Sequence, residues 1–402
     1  MPAHAAAATA SASSADATDE ASSAAALLAT FRRRKAERVR EALSATSPAG
    51  SPDVDALRCL AIERYGLASN ELRRLVWPLL TRVADKPEPP TPTQKQLKRH
   101  PDYNQMNLQK PTVRLPIYSQ VVLDVERSLK RFPPGMDEQV RMSYQDQLVE
   151  TIMRVLHANS HLHYYQGYHD IVITFLLVLD SRHAYNVVEA VSKSHLREHL
   201  YPSMAVTTEL LKLVPLLLSK DPRGKRIADL IEKHEVPPAF SVAWVITWFG
   251  HVLDDLDAIL RLYDFFLASH PLMPLYFSAA LVLHKQDRLL SLPPEDIDFA
   301  VLHSCLANIP NSGAIQLETV ISEACRLFIL HPPDTVQSPS WFDELKLFEQ
   351  PGGQRKPRSR LGLLMVKAQV SLPHLLRSRG ALLILLAVLV ALLAVLWAQL
   401  LS

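Results

Sequence analysis

The stretch Val121–Asp170, VVLDVERSLKRFPPGMDEQVRMSYQDQLVETIMRVLHANSHLHYYQGYHD, decides the fold. It begins and ends on polar motifs, with helix-forming residues between them. In VVLDVER, residues 121–127, Val121, Asp124 and Arg127 recur every third residue. On a helix that spacing lines all three side chains along one face. Val121 can anchor the face in a core, and Asp124, one turn before Arg127, is placed to hold the guanidinium by a charge-assisted hydrogen bond. Phe132, Pro133, Pro134 and Gly135 end this helix. Leu148, Ile152, Val155 and Leu156 then mark the apolar stripe of a longer one. In YYQGYHD, residues 164–170, Gln166 sits between paired tyrosines and Gly167, which lets the backbone turn or approach a partner where a Cβ would clash. An oriented arginine and an exposed glutamine are the two groups that speed hydrolysis of a bound nucleoside triphosphate. The first neutralises charge developing on the transferred phosphoryl group, and the second orients the attacking water.

Composition agrees with a helical body. Glycine is scarce, at 11 of 402 residues, and long stretches are rich in Leu, Ala, Glu, Lys and Arg. A formal net charge of +2 leaves no nucleic-acid footprint. Cys59, Cys305 and Cys325 are odd in number and far apart, which suits neither a disulfide framework nor a zinc pair and points to a reducing compartment.

Toward the N-terminus, residues 1–52 read as a disordered tail: Ala, Ser and Thr with a few acids to about residue 30, then a basic helix from Phe31 to about Ser44. Arg32, Arg33, Arg34 and Lys35 follow the apolar run Ala24–Leu28, the wrong order for a signal peptide. Asp16, Asp19 and Glu20 argue against a mitochondrial presequence. The globular domain is expected over 53–330. Asp53 or Asp55 starts its first helix, which carries Leu57, Leu60 and Ile62. Asn70 is expected to cap the next, with Arg73 and Trp77 one turn apart on one face and Trp77 in the core. Lys86 to Pro116 is a polar, proline-rich loop leading into the Arg127 helix.

After Gln166, IVITFLLVLD is too short to span a membrane and suits a core helix. Helices are expected around 184–199, 204–219 and 223–234, then a Trp-rich helix and an aromatic helix within Ala239–His270, and two more between Pro293 and Leu330. Residues 331–380 read as a linker and basic juxtamembrane segment containing Arg355, Lys356, Arg358, Arg360, Lys367, Arg377 and Arg379. Ala381–Leu401 is a run of 21 uncharged residues. As a helix rising about 1.5 Å per residue it matches a bilayer's hydrocarbon thickness, so one transmembrane helix is expected there. Lying at the extreme end of the chain, that span implies a tail anchor inserted after translation. Lys and Arg precede it and no charge follows, which keeps the rest of the chain in the cytosol.

Two clusters look like metal sites on paper. His157, His161, His163 and His169 lie close together, but no Glu stands between the first pair and no thiolate is near. Asp254, Asp255 and Asp257 lack the glycine and spacing of a calcium loop. Both read as solvated or satisfied side chains, and no metal site is expected. The bland alternatives for the central motifs are a surface Arg–Asp pair, worth little, and a turn glutamine beside glycine.

The motifs together resemble the TBC-domain GTPase-activating proteins of Rab GTPases. Ile-x-x-Asp-x-x-Arg is matched by Val121, Asp124 and Arg127, with valine in the isoleucine place, and Tyr-x-Gln-Gly by Tyr164, Gln166 and Gly167. The family's Asn, Asp continuation is His169, Asp170 here, so the Asn position departs. An upstream signature is matched by Gly66, Leu72, Arg73, Val76, Trp77, Leu79 and Leu80, and a later Trp-rich and aromatic-Asp region by Trp244, Trp248, Tyr263 and Asp264. The resemblance covers roughly Gly66 to Gln286. It implies an all-α, multi-helix TBC domain in which Arg127 enters a GTPase site as an arginine finger. Gln166 would replace the GTPase's own glutamine, Asp124 would position Arg127, Tyr164 and Gly167 would shape the glutamine loop, and Asp170 and Arg73 would support the site. Such a chain is not a self-contained enzyme: it supplies residues in trans, has no cofactor of its own, and its Rab partner carries GTP and Mg²⁺. The C-terminal span resembles a subgroup anchored in the endoplasmic reticulum and acting on early-secretory Rabs, with the Golgi as the alternative membrane. A membrane-anchored Rab-binding adaptor of the same fold, without activating ability, is the other reading.

Overall fold

The computed structural model describes residues 26–45, 52–87, 90, 117–127, 135–333 and 335–336. Among them every regular element is a helix, and no strand is present. In chain order these are α1 (26–44), α2 (Val54–Ile62), α3 (Asn70–Leu80), α4 (Ile117–Arg127), α5 (Glu138–Ala158), α6 (Tyr168–Val178), α7 (Ser181–Ser192), α8 (Ala205–Leu211) and α9 (Leu213–Lys220). There follow α10 (Lys225–Lys233), α11 (Val242–Ile246), α12 (Leu256–Ala268), α13 (Met273–Leu290), α14 (Phe299–Ala307) and α15 (Leu317–Leu330). The residues read from sequence as one helical body distribute over two compact units. The first takes the chain as far as Lys212 and adds Pro237–Leu275 and Ala300–Ala314; the second takes Leu213–Val236, Tyr276–Phe299 and the chain from Ile315. Every candidate site residue belongs to the first.

In the first unit, side chains that satisfy otherwise orphaned helix-end amides set the helix starts. Asp53 accepts from the N–H groups of Asp55 and Ala56 to start α2. Ser69, rather than the expected Asn70, caps α3 by accepting from Leu72 N–H. Asn70 is already helical, and its Oδ1 accepts instead from Arg73 Nη1, 2.8 Å away. The basic N-terminal helix forms as expected and begins earlier, at residue 26. Its buried Lys35 and Val39 seat it, with Lys35 Nζ 2.8 Å from Glu63. Burial pulls the Lys35 amine down to about 8, against the pull of Glu63.

One buried carboxylate organises the upstream motif. Asp264 on α12 accepts from Arg73 Nη2 at 3.0 Å, Trp77 Nε1 at 2.8 Å and Leu67 N–H at 3.0 Å. Gly66, at φ +52°, lets the backbone pass this close; a Cβ there would lie 2.5 Å from Asp264 Oδ2. Around the clamp, aromatic rings pack edge to face: Phe175 on Trp77 at 5.5 Å and on Tyr263 at 5.2 Å, and Trp248 on Tyr263 at 5.1 Å. The apolar stretch after Gln166 is α6, buried along its length, as its all-round hydrophobic sequence requires.

Several boundaries differ from the sequence expectation. The helix expected over 184–199 starts at Ser181, where Asp180 caps it, and stops at Ser192; Arg197–His199 is a separate 3₁₀ turn. The helix expected over 204–219 breaks into α8 and α9, because Pro215 has no N–H to give the Leu211 carbonyl. The Trp-rich segment is not one helix. It runs as a 3₁₀ turn at Pro238–Ser241, the short α11, and a bend where Trp248 and Phe249 take φ of +49° and +65°. Such left-handed backbone is costly for large side chains and holds only because both rings are buried.

In the second unit, Asp221 gathers Arg223 and Arg326, and Glu323 pairs with both arginines, tying the end of α9 to α15. Tyr276 Oη donates to the His331 carbonyl at 2.6 Å. Among the described residues no helix is long and apolar enough to cross a membrane. The span expected at 381–401, the basic segment before it, the first 25 residues and most of the loop from Lys86 to Pro116 lie outside the described residues.

Candidate functional site

Arg127 and Gln166 are both exposed, on elements that the core holds firmly. Helix α4 packs against α5 and α6. It buries Val121, Asp124 and Val125 and leaves Arg127 in solvent at its described end. Among the described residues the guanidinium has no ion pair or hydrogen bond. The expected bond from Asp124 to Arg127 is therefore not made. Asp124 turns inward and accepts from Tyr164 Oη at 2.9 Å. The reason is desolvation: a carboxylate buried to 6 % exposure needs a buried donor, whereas a solvated guanidinium does not need it.

The glutamine loop lies between α5 and α6. Asn159 closes α5, and its Nδ2 also donates to Glu189 at 3.2 Å. Tyr164 and Tyr165 then turn inward on either side of the backbone. Tyr164 reaches Asp124; Tyr165 Oη donates to the Ile246 carbonyl at 2.7 Å. With both neighbours anchored, Gln166 is left pointing to solvent. Gly167 takes φ +109° at the start of α6, and a Cβ there would meet Thr247 Cγ2 at 2.9 Å, so only glycine fits between the loop and the 247–251 bend. The Tyr164–Asp124 hydrogen bond thus joins the Arg127 helix to the Gln166 loop.

Burial, and then the Asp124 carboxylate, push the Tyr164 phenol far above its ordinary value, so it stays a donor at neutral pH. Its single proton goes to Asp124, so His169 Nδ1, 3.0 Å away, must donate to the phenol oxygen. His169 Nε2 lies 3.7 Å from Asp170 Oδ1, and Asp170 Oδ2 accepts from His251 Nδ1 at 3.0 Å. Asp170 is thus brought to the site through its neighbour. Arg73 is not: its guanidinium belongs to the Asp264 clamp and makes no bond to Arg127 or Gln166. Of the clustered histidines His157, His161, His163 and His169, the last enters this network, and among the described residues no cluster is arranged to hold a metal. Asp255 caps α12 by accepting from Asp257 N–H, the role of an ordinary helix turn. Sequence reasoning missed Tyr165, Thr247 and His251. Their spacing carries no local signal, because the contacts span about eighty residues.

A family model described as the Rab-GTPase-TBC domain matches residues 70–290, a range that contains both motifs together with Arg73, Trp77 and Asp264. The chain belongs to this family. TBC1 domain family member 20 of Homo sapiens is 43% identical over 303 residues, 75% of this chain and 68% of that protein. The GTPase-activating protein gyp10 of Schizosaccharomyces pombe is 31% identical over 208 residues, 52% of this chain and 54% of that protein. Among solved structures, the crystal structure of the Ypt/Rab-GAP domain of Gyp1p covers 73% of this chain and 97% of that one, with 13% identity and a TM-score of 0.49. Within the TBC domain, the upstream signature works as a fold clamp, whereas the two central motifs present exposed polar groups.

Proposed function

We propose that this TBC domain accelerates GTP hydrolysis by a Rab GTPase, with Arg127 as an arginine finger and Gln166 as the group that orients the attacking water. One observation carries the reading. The two side chains suited to these roles are exposed and without partners among the described residues, while Tyr164 and Asp124 tie together the elements that bear them. An arginine committed to an internal ion pair would have to break it before stabilising a phosphoryl group. This one does not. GTP and its Mg²⁺ come with the partner, and the chain adds charge and orientation to a site it completes in trans. A Rab-binding adaptor without activating ability is the alternative, and the exposed Arg and Gln pair favours activation over it.

Phosphate release from a panel of purified GTP-loaded Rab GTPases is the deciding measurement, and acceleration of none of them would leave the adaptor. The same assay tests Gln166. If it replaces the GTPase's own glutamine, a partner with that glutamine substituted remains a substrate, and Gln166→Ala loses activity on both forms. A substituted partner that becomes fully resistant would mean that the GTPase supplies its own water-orienting group.

We further propose that residues 381–401 anchor the chain in the endoplasmic reticulum membrane, placing the TBC domain in the cytosol where an early-secretory Rab is met. Support comes from the uncharged run itself and the seven Lys and Arg residues between Arg355 and Arg379. A glycosylation acceptor added beyond Ser402 should be modified, and one placed near Met1 should not. The reverse pattern would put Arg127 and Gln166 on the wrong side of the membrane.

A further inference from the structure

We infer that His169 and His251 are positioning residues for Gln166, an inference that rests on the proposed GTPase activation. A glutamine that orients water must be held at a fixed pitch, because a displacement of about 1 Å at a reacting group can cost on the order of 100-fold in rate. Gln166 itself is exposed, so the pitch comes from the loop beneath it.

That loop is gripped from two sides. On the α4 side, Tyr164 Oη donates a hydrogen bond to Asp124, and His169 Nδ1 caps the phenol oxygen at 3.0 Å. This second bond fixes the hydroxyl, so the ring of the residue two before Gln166 cannot swing. On the other side, Thr247 presses its methyl group on Gly167, while Thr247 Oγ1 accepts from His251 N–H at 3.1 Å and bonds back to the Ala243 carbonyl at 2.6 Å. His251 Nδ1 then reaches Asp170 at 3.0 Å. Asp170 sits in the first turn of α6, next to His169 and three residues after Gly167. The two histidines therefore close a frame around the loop: Asp124, Tyr164 and His169 on one side, and Asp170, His251 and Thr247 on the other. His169 and Asp170 are consecutive in the first turn of α6, so the two halves meet there.

Their environments differ in a way that makes the frame testable. His169 is buried, whereas the His251 side chain is 60 % exposed with its Asp170 partner at 1 %. Truncating His251 removes a brace and leaves no cavity.

The test uses the full chain and the GTPase chosen by the phosphate-release panel, in single-turnover assays at increasing chain concentration. His169→Ala is expected to lower the maximal rate about 10-fold or more, with the half-saturating concentration within about twofold of wild type. His169→Asn keeps a side-chain donor near the Nδ1 position and should restore most of that rate. His251→Ala should lower the maximal rate in the same sense with an unchanged melting temperature, so the idea remains testable if His169→Ala does not fold. A maximal rate within about twofold of wild type for both alanine variants would overturn the inference. So would a loss confined to half-saturation, or no rescue by asparagine. Amide hydrogen exchange of residues 161–168 in the free chain separates the two levels of the proposal. Faster exchange in His251→Ala, in a chain that activates no GTPase, would keep the frame and remove the function. Unchanged exchange would remove the frame, whatever the wild-type activity.

Discussion

Arg127→Ala should lower the maximal rate of GTP hydrolysis by the partner GTPase about 10³–10⁵-fold, roughly 4–7 kcal/mol of barrier. Its affinity for the partner should change far less. The side chain makes no bond within the described chain, so removing it leaves no buried group unpaired and the melting temperature should stay at the wild-type value. What disappears is an interaction formed only as charge develops on the phosphoryl group, which is why the loss falls on the maximal rate. Arg127→Lys should fail too, because an ammonium cannot present the planar fork of a guanidinium. Single-turnover phosphate release over a range of chain concentrations measures both quantities. Near wild-type turnover by either variant would exclude the finger role.

Asp264→Ala should give the largest loss of stability of any single change considered, about 3–5 kcal/mol. That is a sizeable part of the roughly 5–15 kcal/mol that holds a domain folded. Three donors converge on this carboxylate: the Arg73 guanidinium, Trp77 Nε1 and Leu67 N–H. Without it a guanidinium 7 % exposed has lost its counter-charge, and two further buried N–H groups lose their acceptor. Urea unfolding followed by tryptophan fluorescence gives the magnitude. The double variant Arg73→Met/Asp264→Leu should be less destabilised than Asp264→Ala alone, since removing both charges leaves no uncompensated ion. A loss below about 1 kcal/mol for Asp264→Ala would mean that the clamp is far weaker than its geometry implies. The two predictions are complementary: one residue acts on rate with no effect on folding, and the other on folding.

How much of this could be read in the chain depends on the distance over which each feature is set. The α5 stripe of Leu148, Ile152, Val155 and Leu156 obeys local periodicity, and all four are buried. The α3 cap lies at Ser69, one residue before Asn70, because both are good caps and the choice falls to the backbone entering the helix after Ala68, itself at φ +66°. The Trp-rich segment carries a helix-like apolar pattern, yet packing Trp248 and Phe249 into the aromatic core bends it into left-handed backbone. The three-residue spacing of Asp124 and Arg127 points to a pair that the fold does not make. Spacing on a helix brings side chains near one another but does not decide between a solvated partner and a buried phenol forty residues away.

The sequence by itself determined that the chain is helical, where the Arg127 and Gln166 motifs lie, and that Gly167 marks a place of close backbone approach. These follow from local periodicity and residue chemistry, with contacts within a few turns. Only the tertiary structure decided that Arg73 and Trp77 serve Asp264, that Asp124 answers to Tyr164, and that His169, Asp170 and His251 line up behind the glutamine loop. Each of these pairings satisfies a polar group that folding has removed from water. Which partner is within reach at that moment depends on how distant helices stack.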